Sequence, residues 1–237
     1  MVLKYFKFFQ ILIFFIAGFL GLSSHAYGQK QVSEAELIAS LKQGGHVIYI
    51  RHPTTDLTKT DQNREDLSDW SKQRNLSDKG RQEAVSIGLA FRALAIPVSE
   101  VVTSPYCRAI ETGKLAFGKV KVSPDLAFSV GEDKADAEKL AKALRIMLAT
   151  KPAAKTNTIL VAHSGNLKDA ADLFPKPEGV TMIFKPQGNN AFEFVQRVEA
   201  QQWAQLAEKA GVPIDARKLN ARLPDRGQLC NKEDAKL

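Results

Sequence analysis

The sequence predicts an α/β protein, a three-layer α/β/α sandwich whose central sheet is mostly parallel and carries an antiparallel edge hairpin. Three observations lead there. Short apolar runs at Val47–Ile50, Val101–Thr103 and Thr158–Ala162 have the length and residue types of buried strands. Amphipathic helical stretches alternate with them, the pattern of a parallel sheet with helices on both faces. Two later β-prone runs, Val180–Lys185 and Ala191–Val198, are separated by Pro186-Gln187-Gly188-Asn189-Asn190 and read as a hairpin.

The elements follow in order. Ser33 and Glu36 have the capping-box spacing and open a short helix to about Lys42. Gly44-Gly45 and Pro53 bound the first strand. The stretch from Leu57 to Asn75 is polar and lacks either period, so it is a long loop. Ser77 caps a helix to about Ala95, with Ala84, Ile87, Phe91 and Leu94 on one face and Pro97 closing it. The second strand runs into a helix with Ser104 as N-cap and Pro105 in the first helical position, ending near Phe117-Gly118. A short strand around Lys121 and a helix from Lys134 to Ala149, with Leu140, Leu144 and Met147 inward, come next. Asn166–Leu173 and Ala200–Lys209 complete the helices.

The strand ends carry the chemistry. Val47–Ile50 stops at Arg51-His52, the second strand leads to Arg108, and the third ends at His163. In an open α/β sheet ligands bind beyond the carboxyl ends of the strands. Arginine offers a planar fork for phosphate oxygens, and a neutral imidazole can attack phosphorus. Arg51, Arg108, His52 and His163 therefore form a cationic cup for an anionic ligand, to which Thr55 adds a hydroxyl. Neighbouring guanidinium groups disfavour the cationic form of His52 and keep it nucleophilic. Arg64 and Arg74 in the long loop are further candidate contacts, though a surface arginine is the commoner case.

These residues fall into four ordered motifs: Arg51-His52-Pro53-Thr54-Thr55, Leu76-Ser77-Asp78-Lys79-Gly80, Ser104-Pro105-Tyr106-Cys107-Arg108-Ala109-Ile110-Glu111-Thr112 and Ala162-His163-Ser164-Gly165-Asn166. Together they resemble the histidine phosphatase superfamily, the phosphoglycerate-mutase-like group, over roughly Gly44 to Trp203. Pro53 stands where that signature has Gly. The resemblance implies phosphoryl transfer to His52 and hydrolysis of the phosphohistidine, with Arg51, Thr55, Arg108 and His163 binding phosphate. No cofactor is implied, and no metal. Arginines crowd the place a cation would occupy, and the histidines form no clustered ligand set.

A general acid is the missing part. Superfamily members place a Glu or Asp after the second conserved element, and Ser129-Val130-Gly131-Glu132-Asp133 offers Glu132 or Asp133. Glu132 is the expected acid, with Asp133 and Asp56 as alternatives. Glu111, three residues after Arg108 on one helical face, is expected to hold that guanidinium. His46 reads as strand packing.

The 237 residues divide into a signal peptide at 1–26, a domain at 27–210 and a polar C-terminal tail at 211–237, expected to be loosely attached. Lys4 and Lys7, an apolar run from Phe8 to Leu22 and Ser24-His25-Ala26 fit a cleaved secretory signal. The run is shorter than the roughly 20 residues that span a bilayer, so stable membrane insertion is not expected. Losing the two lysines lowers the formal charge from +7 to +5. That charge is not gathered into basic runs interleaved with aromatics, which argues against nucleic acid as partner. Cys107 and Cys230 could form one bridge in an oxidising compartment, but Cys107 lies beside Arg108 and two free thiols are expected.

The function expected is a periplasmic or secreted phosphomonoesterase, metal-independent, acting on a small phosphorylated substrate. Two alternatives are a mutase or phosphohistidine-protein phosphatase of the same fold, and a non-catalytic binding protein for phosphorylated envelope ligands.

Overall fold

The computed structural model describes residues 32–219 and 221–231. The expected signal segment lies outside these residues. Among them no helix is long and apolar enough to cross a membrane.

A six-stranded sheet in the order β3-β2-β4-β1-β5-β6 forms the centre. Its strands are β1 (Val47–Arg51), β2 (Val98–Thr103), β3 (Lys121–Val122), β4 (Asn157–Ala162), β5 (Thr181–Gly188) and β6 (Ala191–Val198). β1, β2, β3 and β4 run parallel, while β5 and β6 are antiparallel to their neighbours, as expected from the sequence. β1 is buried on both faces. Ile48 and Ile50 enter one core with α1 (Glu34–Gln43), α2 (Asp78–Ala93), α3 (Cys107–Phe117) and α6 (Ala200–Lys209), centred on Phe91 and Trp203. Val47 and Tyr49 enter the other, under α4 (Lys134–Ala149) and α5 (Ser164–Ala171). Burial of apolar surface on both sides gives β1 an unbroken apolar run rather than an alternating one.

Several local signals act as read. Ser33 and Glu36 make both bonds of the capping box, and Ser77 accepts from the Gly80 amide. β5 extends through Pro186 to Gly188, beyond the expected end at Lys185. By then it has run past β1 and pairs only with β6, so the missing proline N–H breaks no ladder bond to β1. Asn189 and Asn190 both take positive φ, the geometry of a two-residue hairpin turn matched to strand twist. On α4, Leu144 is fully buried but Leu140 and Met147 are only half-buried; Ala141 and Leu148 complete the inner face.

Three expectations fail together at the C-terminus. The segment read as a loose tail folds back through α7 (Ala216–Leu219) and α8 (Arg226–Leu229). Cys230 is joined to Cys107 in a disulfide with 5.5 Å between Cα atoms, so the cysteines are not free thiols. Glu111 does not hold Arg108. Its fully buried carboxylate is paired with Arg81 at 2.7 Å and Arg226 at 2.9 Å. Helical side chains lean towards the N-terminus, which carries Arg108 into the cup and leaves Glu111 one turn behind, facing α2 and α8. Residues 123 apart in sequence meet there, a pairing that local spacing does not encode.

Candidate active site

His52, Ser104 and His163 each stand one residue beyond a parallel strand, β1, β2 and β4. Ladder-like bonds continue past the strand ends: His52 N–H donates to Ala162 O at 3.1 Å, and Ser104 N–H to Val161 O at 2.9 Å. This fixes the two imidazoles with ring centroids 5.3 Å apart. His52 is 2 % exposed and His163 1 %. Burial, and next the charge of Arg108, holds both well below the usual histidine range, so both are neutral at physiological pH.

The hydrogen bonds assign the tautomers. His52 Nδ1 lies 3.0 Å from Pro53 O, and a carbonyl only accepts, so Nδ1 carries the proton and Nε2 keeps its lone pair. Proline at position 53 therefore leaves the carbonyl that orients His52 in place. Ser104 Oγ accepts from Tyr106 N–H and lies 2.8 Å from His163 Nε2. Ser104 Oγ thus holds Nε2, while His163 Nδ1 is buried without a partner among the described residues. Ser104 was expected to cap the helix. The helix instead starts at Cys107 with Tyr106 at its N-cap, and the Ser104 hydroxyl serves the histidine.

Arg108 is fully buried and stacks over the Tyr106 ring at 4.3 Å. Its Nη1 bonds Asp61 Oδ1 at 2.9 Å and Arg74 O at 3.2 Å, while Nε and Nη2 are buried without hydrogen-bond partners among the described residues. Arg51 donates to Pro175 O and Glu178 Oε1, both at 3.1 Å. Thr55 donates to the same Glu178 carboxylate from its amide at 2.9 Å and its hydroxyl at 3.2 Å. Arg74 approaches Glu178 to 4.0 Å, and its charge bears on both histidines. It belongs to the cup, whereas Arg64 is stacked on Phe128 and bonded to the Tyr106 hydroxyl, the two rings that pack on His163.

Close backbone approaches hold this arrangement. A Cβ on Gly80 would lie 1.9 Å from Thr54 O, so only glycine lets α2 abut the Pro53–Thr55 turn. Gly179, at φ +82°, donates its N–H to the carbonyls of Arg51 and His52 and so seats Glu178 beside them.

Each of the expected acids has a partner of its own in the structure. Glu132 is ion-paired with Arg64 at 2.7 Å and its side chain is 37 % exposed. Asp133 caps α4 through the Asp136 amide. Asp56 is consumed by Thr58, accepting from its amide and hydroxyl. Asp61 and Glu178 are the carboxylates that face Arg108 and Arg51, and sequence reasoning missed both. Asp61 lies in a polar loop with no period, and Glu178 between Pro177 and Gly179 without a motif. His46, buried against Ser40 and Asn157, is strand packing as read.

No curated protein matches the chain. Among solved structures, the protein histidine phosphatase SixA complexed with tungstate is similar at 15 % identity over 66 % of this chain and 98 % of that one, with a TM-score of 0.44. Phosphoserine phosphatase from Entamoeba histolytica, in complex with 3-phosphoglyceric acid, has 16 % identity over 67 % and 98 %, with a TM-score of 0.45. A mycobacterial glucosyl-3-phosphoglycerate phosphatase has 17 % identity over 64 % and 97 %, with a TM-score of 0.44. Residues 47–132, which carry His52, the 57–75 loop and Arg108, match the family described as Histidine phosphatase superfamily (branch 1).

Proposed function

We propose that the protein is a phosphomonoesterase that works through a phosphohistidine at His52. The observation that carries this is the set of buried nitrogens left without partners among the described residues around an unprotonated Nε2: Arg108 Nε and Nη2, Arg51 Nε and His163 Nδ1. Leaving such groups unsatisfied is costly, and a tetrahedral oxyanion is the ligand that would satisfy several at once.

His52 Nε2 attacks phosphorus while Nδ1–H stays on Pro53 O. Arg51, Arg74 and Arg108 neutralise the equatorial oxygens from fixed positions, the task that phosphoryl transfer chiefly requires. Water then cleaves the P–N bond and returns neutral His52. The arginines take the place that a cation holds in metal-dependent phosphatases, so activity persists in chelator. The substrate class is a small phosphomonoester, the kind of ligand named for the similar phosphoserine phosphatase. Export supports itself on two features: the charged-then-apolar N-terminal sequence and the Cys107–Cys230 disulfide, a bond that persists in oxidising compartments.

The test is hydrolysis of p-nitrophenyl phosphate by purified protein in EDTA, with acid-quenched protein probed for phosphohistidine. Turnover with label on His52, absent in His52→Ala, is expected. Activity that survives in His52→Ala would overturn the mechanism. Phosphate-dependent thermal protection without turnover would favour the binding-protein alternative.

A further inference from the structure

We propose that Asp61 is the proton donor to the leaving oxygen, an assignment that rests on the phosphohistidine reading above. Three carboxylates near the positions expected for the acid are engaged elsewhere: Glu132 by Arg64, Asp133 by the α4 N-terminus and Asp56 by Thr58. Two carboxylates remain at the cup, and their surroundings differ. Glu178 accepts from the Thr55 amide, the Thr55 hydroxyl and Arg51 on its two oxygens, which leaves neither oxygen free and makes it a positioning residue for Arg51.

Asp61 takes both of its hydrogen bonds on Oδ1, from Arg108 Nη1 and the Arg74 amide, each at 2.9 Å. Oδ2 has no partner among the described residues. The side chain is 12 % exposed, and that free oxygen remains accessible to an incoming ligand. Arg108, whose other nitrogens are the unsatisfied donors, places Asp61 one guanidinium width from the phosphoryl group it would bind. The position is not a chance of a loose loop. Gln62 N–H donates to Lys72 O at 2.8 Å and pinches the loop one residue away, and Gln73 Oε1 accepts from the Cys107 amide at the start of α3.

The step needs the Asp61 carboxyl with its proton on Oδ2, the oxygen that neither Arg108 nor the Arg74 amide occupies. In the first step the His52 Nε2–P bond forms and the P–O bond to the leaving group breaks, and the leaving oxygen takes the proton from Asp61 Oδ2. In the second, water attacks phosphorus, its proton passes to the Asp61 carboxylate, and the P–N bond breaks. Phosphate and alcohol leave, with His52 and Asp61 restored.

A missing acid is felt most by poor leaving groups. The experiment compares p-nitrophenyl, phenyl and benzyl phosphate in wild type, Asp61→Asn, Asp61→Glu and Glu132→Gln. Asparagine keeps an acceptor for Arg108 and the Arg74 amide but carries no transferable proton. The expected result for Asp61→Asn is a loss of about 10²–10⁴-fold in kcat/KM, which reports the leaving-group step alone, with benzyl phosphate and less than about tenfold with p-nitrophenyl phosphate, partly rescued in Asp61→Glu. An equal loss of kcat/KM on all three substrates would reduce Asp61 to a support for Arg108. A selective loss in Glu132→Gln instead would move the acid there. Wild type itself gives a reading that needs no variant: a steep dependence of kcat on the leaving group would mean that no acid acts. Wild-type protein inactive on all three would overturn the phosphatase reading, a different outcome from any of these.

Discussion

The strand-end groups and the loop groups meet in one cup but are held by different means. His52, Ser104 and His163 stand at the ends of parallel strands, the first two held by backbone bonds at 3.1 and 2.9 Å, and both sheet faces are packed under helices. Asp61 and Arg74 come from the 57–75 loop, and Glu178 from the segment between α5 and β5, fixed mainly by their own polar contacts with Arg108, Arg51 and Thr55. The ladder supplies the nucleophile and its geometry. The loops supply the countercharges that decide how strongly the arginines bind an anion and where a proton can go. Removing a ladder group should cost chemistry with every substrate, whereas removing a loop group should cost affinity, order or, at Asp61, the turnover of poor leaving groups.

That contrast can be broken by measurement. The largest effect is expected for His52→Ala, a loss of about 10³-fold or more in kcat with p-nitrophenyl phosphate, because the covalent route disappears. Arg108→Ala removes oxyanion stabilisation and leaves Asp61 beside the cup uncompensated, for a loss of about 10²–10³-fold. Glu178→Gln should act on binding: the amide still accepts from Thr55 but no longer offsets Arg51, and KM should change by about tenfold, with kcat altered less. Equal falls in kcat for Glu178→Gln and His52→Ala would erase the distinction between loop and ladder.

Stability sharpens the same comparison. Cys230→Ser opens a link between residues 123 apart and frees the segment that carries Arg226 to Glu111. A loss of about 2–4 kcal/mol is expected, read as a lower Tm in non-reducing buffer. The smallest effect is that of pH. His52 and His163 have pKa values lowered by burial, so both stay neutral in the fold where the unfolded chain would take up protons. Stability is therefore insensitive above about pH 6.5 and declines as pH falls below it, continuing until the lowered folded values are reached. Urea midpoints across that window in wild type and His163→Gln report it; an unchanged slope in His163→Gln would remove His163 from the account.

Much of this was legible beforehand because it is local. Apolar runs of strand length, Ser33 with Glu36, Ser77 at the head of α2 and the double asparagine of the hairpin act through neighbours a few residues away. The Arg51-His52, Arg108 and His163 positions follow from the same logic, since a strand that ends must present its next side chain at the sheet edge. The partners of Glu132 and Asp133 were not legible in the same way: position after a motif does not tell that the start of α4 takes Asp133 as a cap and that Arg64 pairs with Glu132.

The sequence by itself determined the sheet, its mixed direction and the residues at its carboxyl edge, because hydrophobic period and capping are encoded within one element. Only the tertiary structure decided which carboxylates meet the arginines, that Glu111 serves Arg81 and Arg226, and that Cys107 finds Cys230. Those choices depend on close approach of segments far apart in the chain. A charge or a thiol carries no period that would announce its partner; burial and distance select it once the layers have packed.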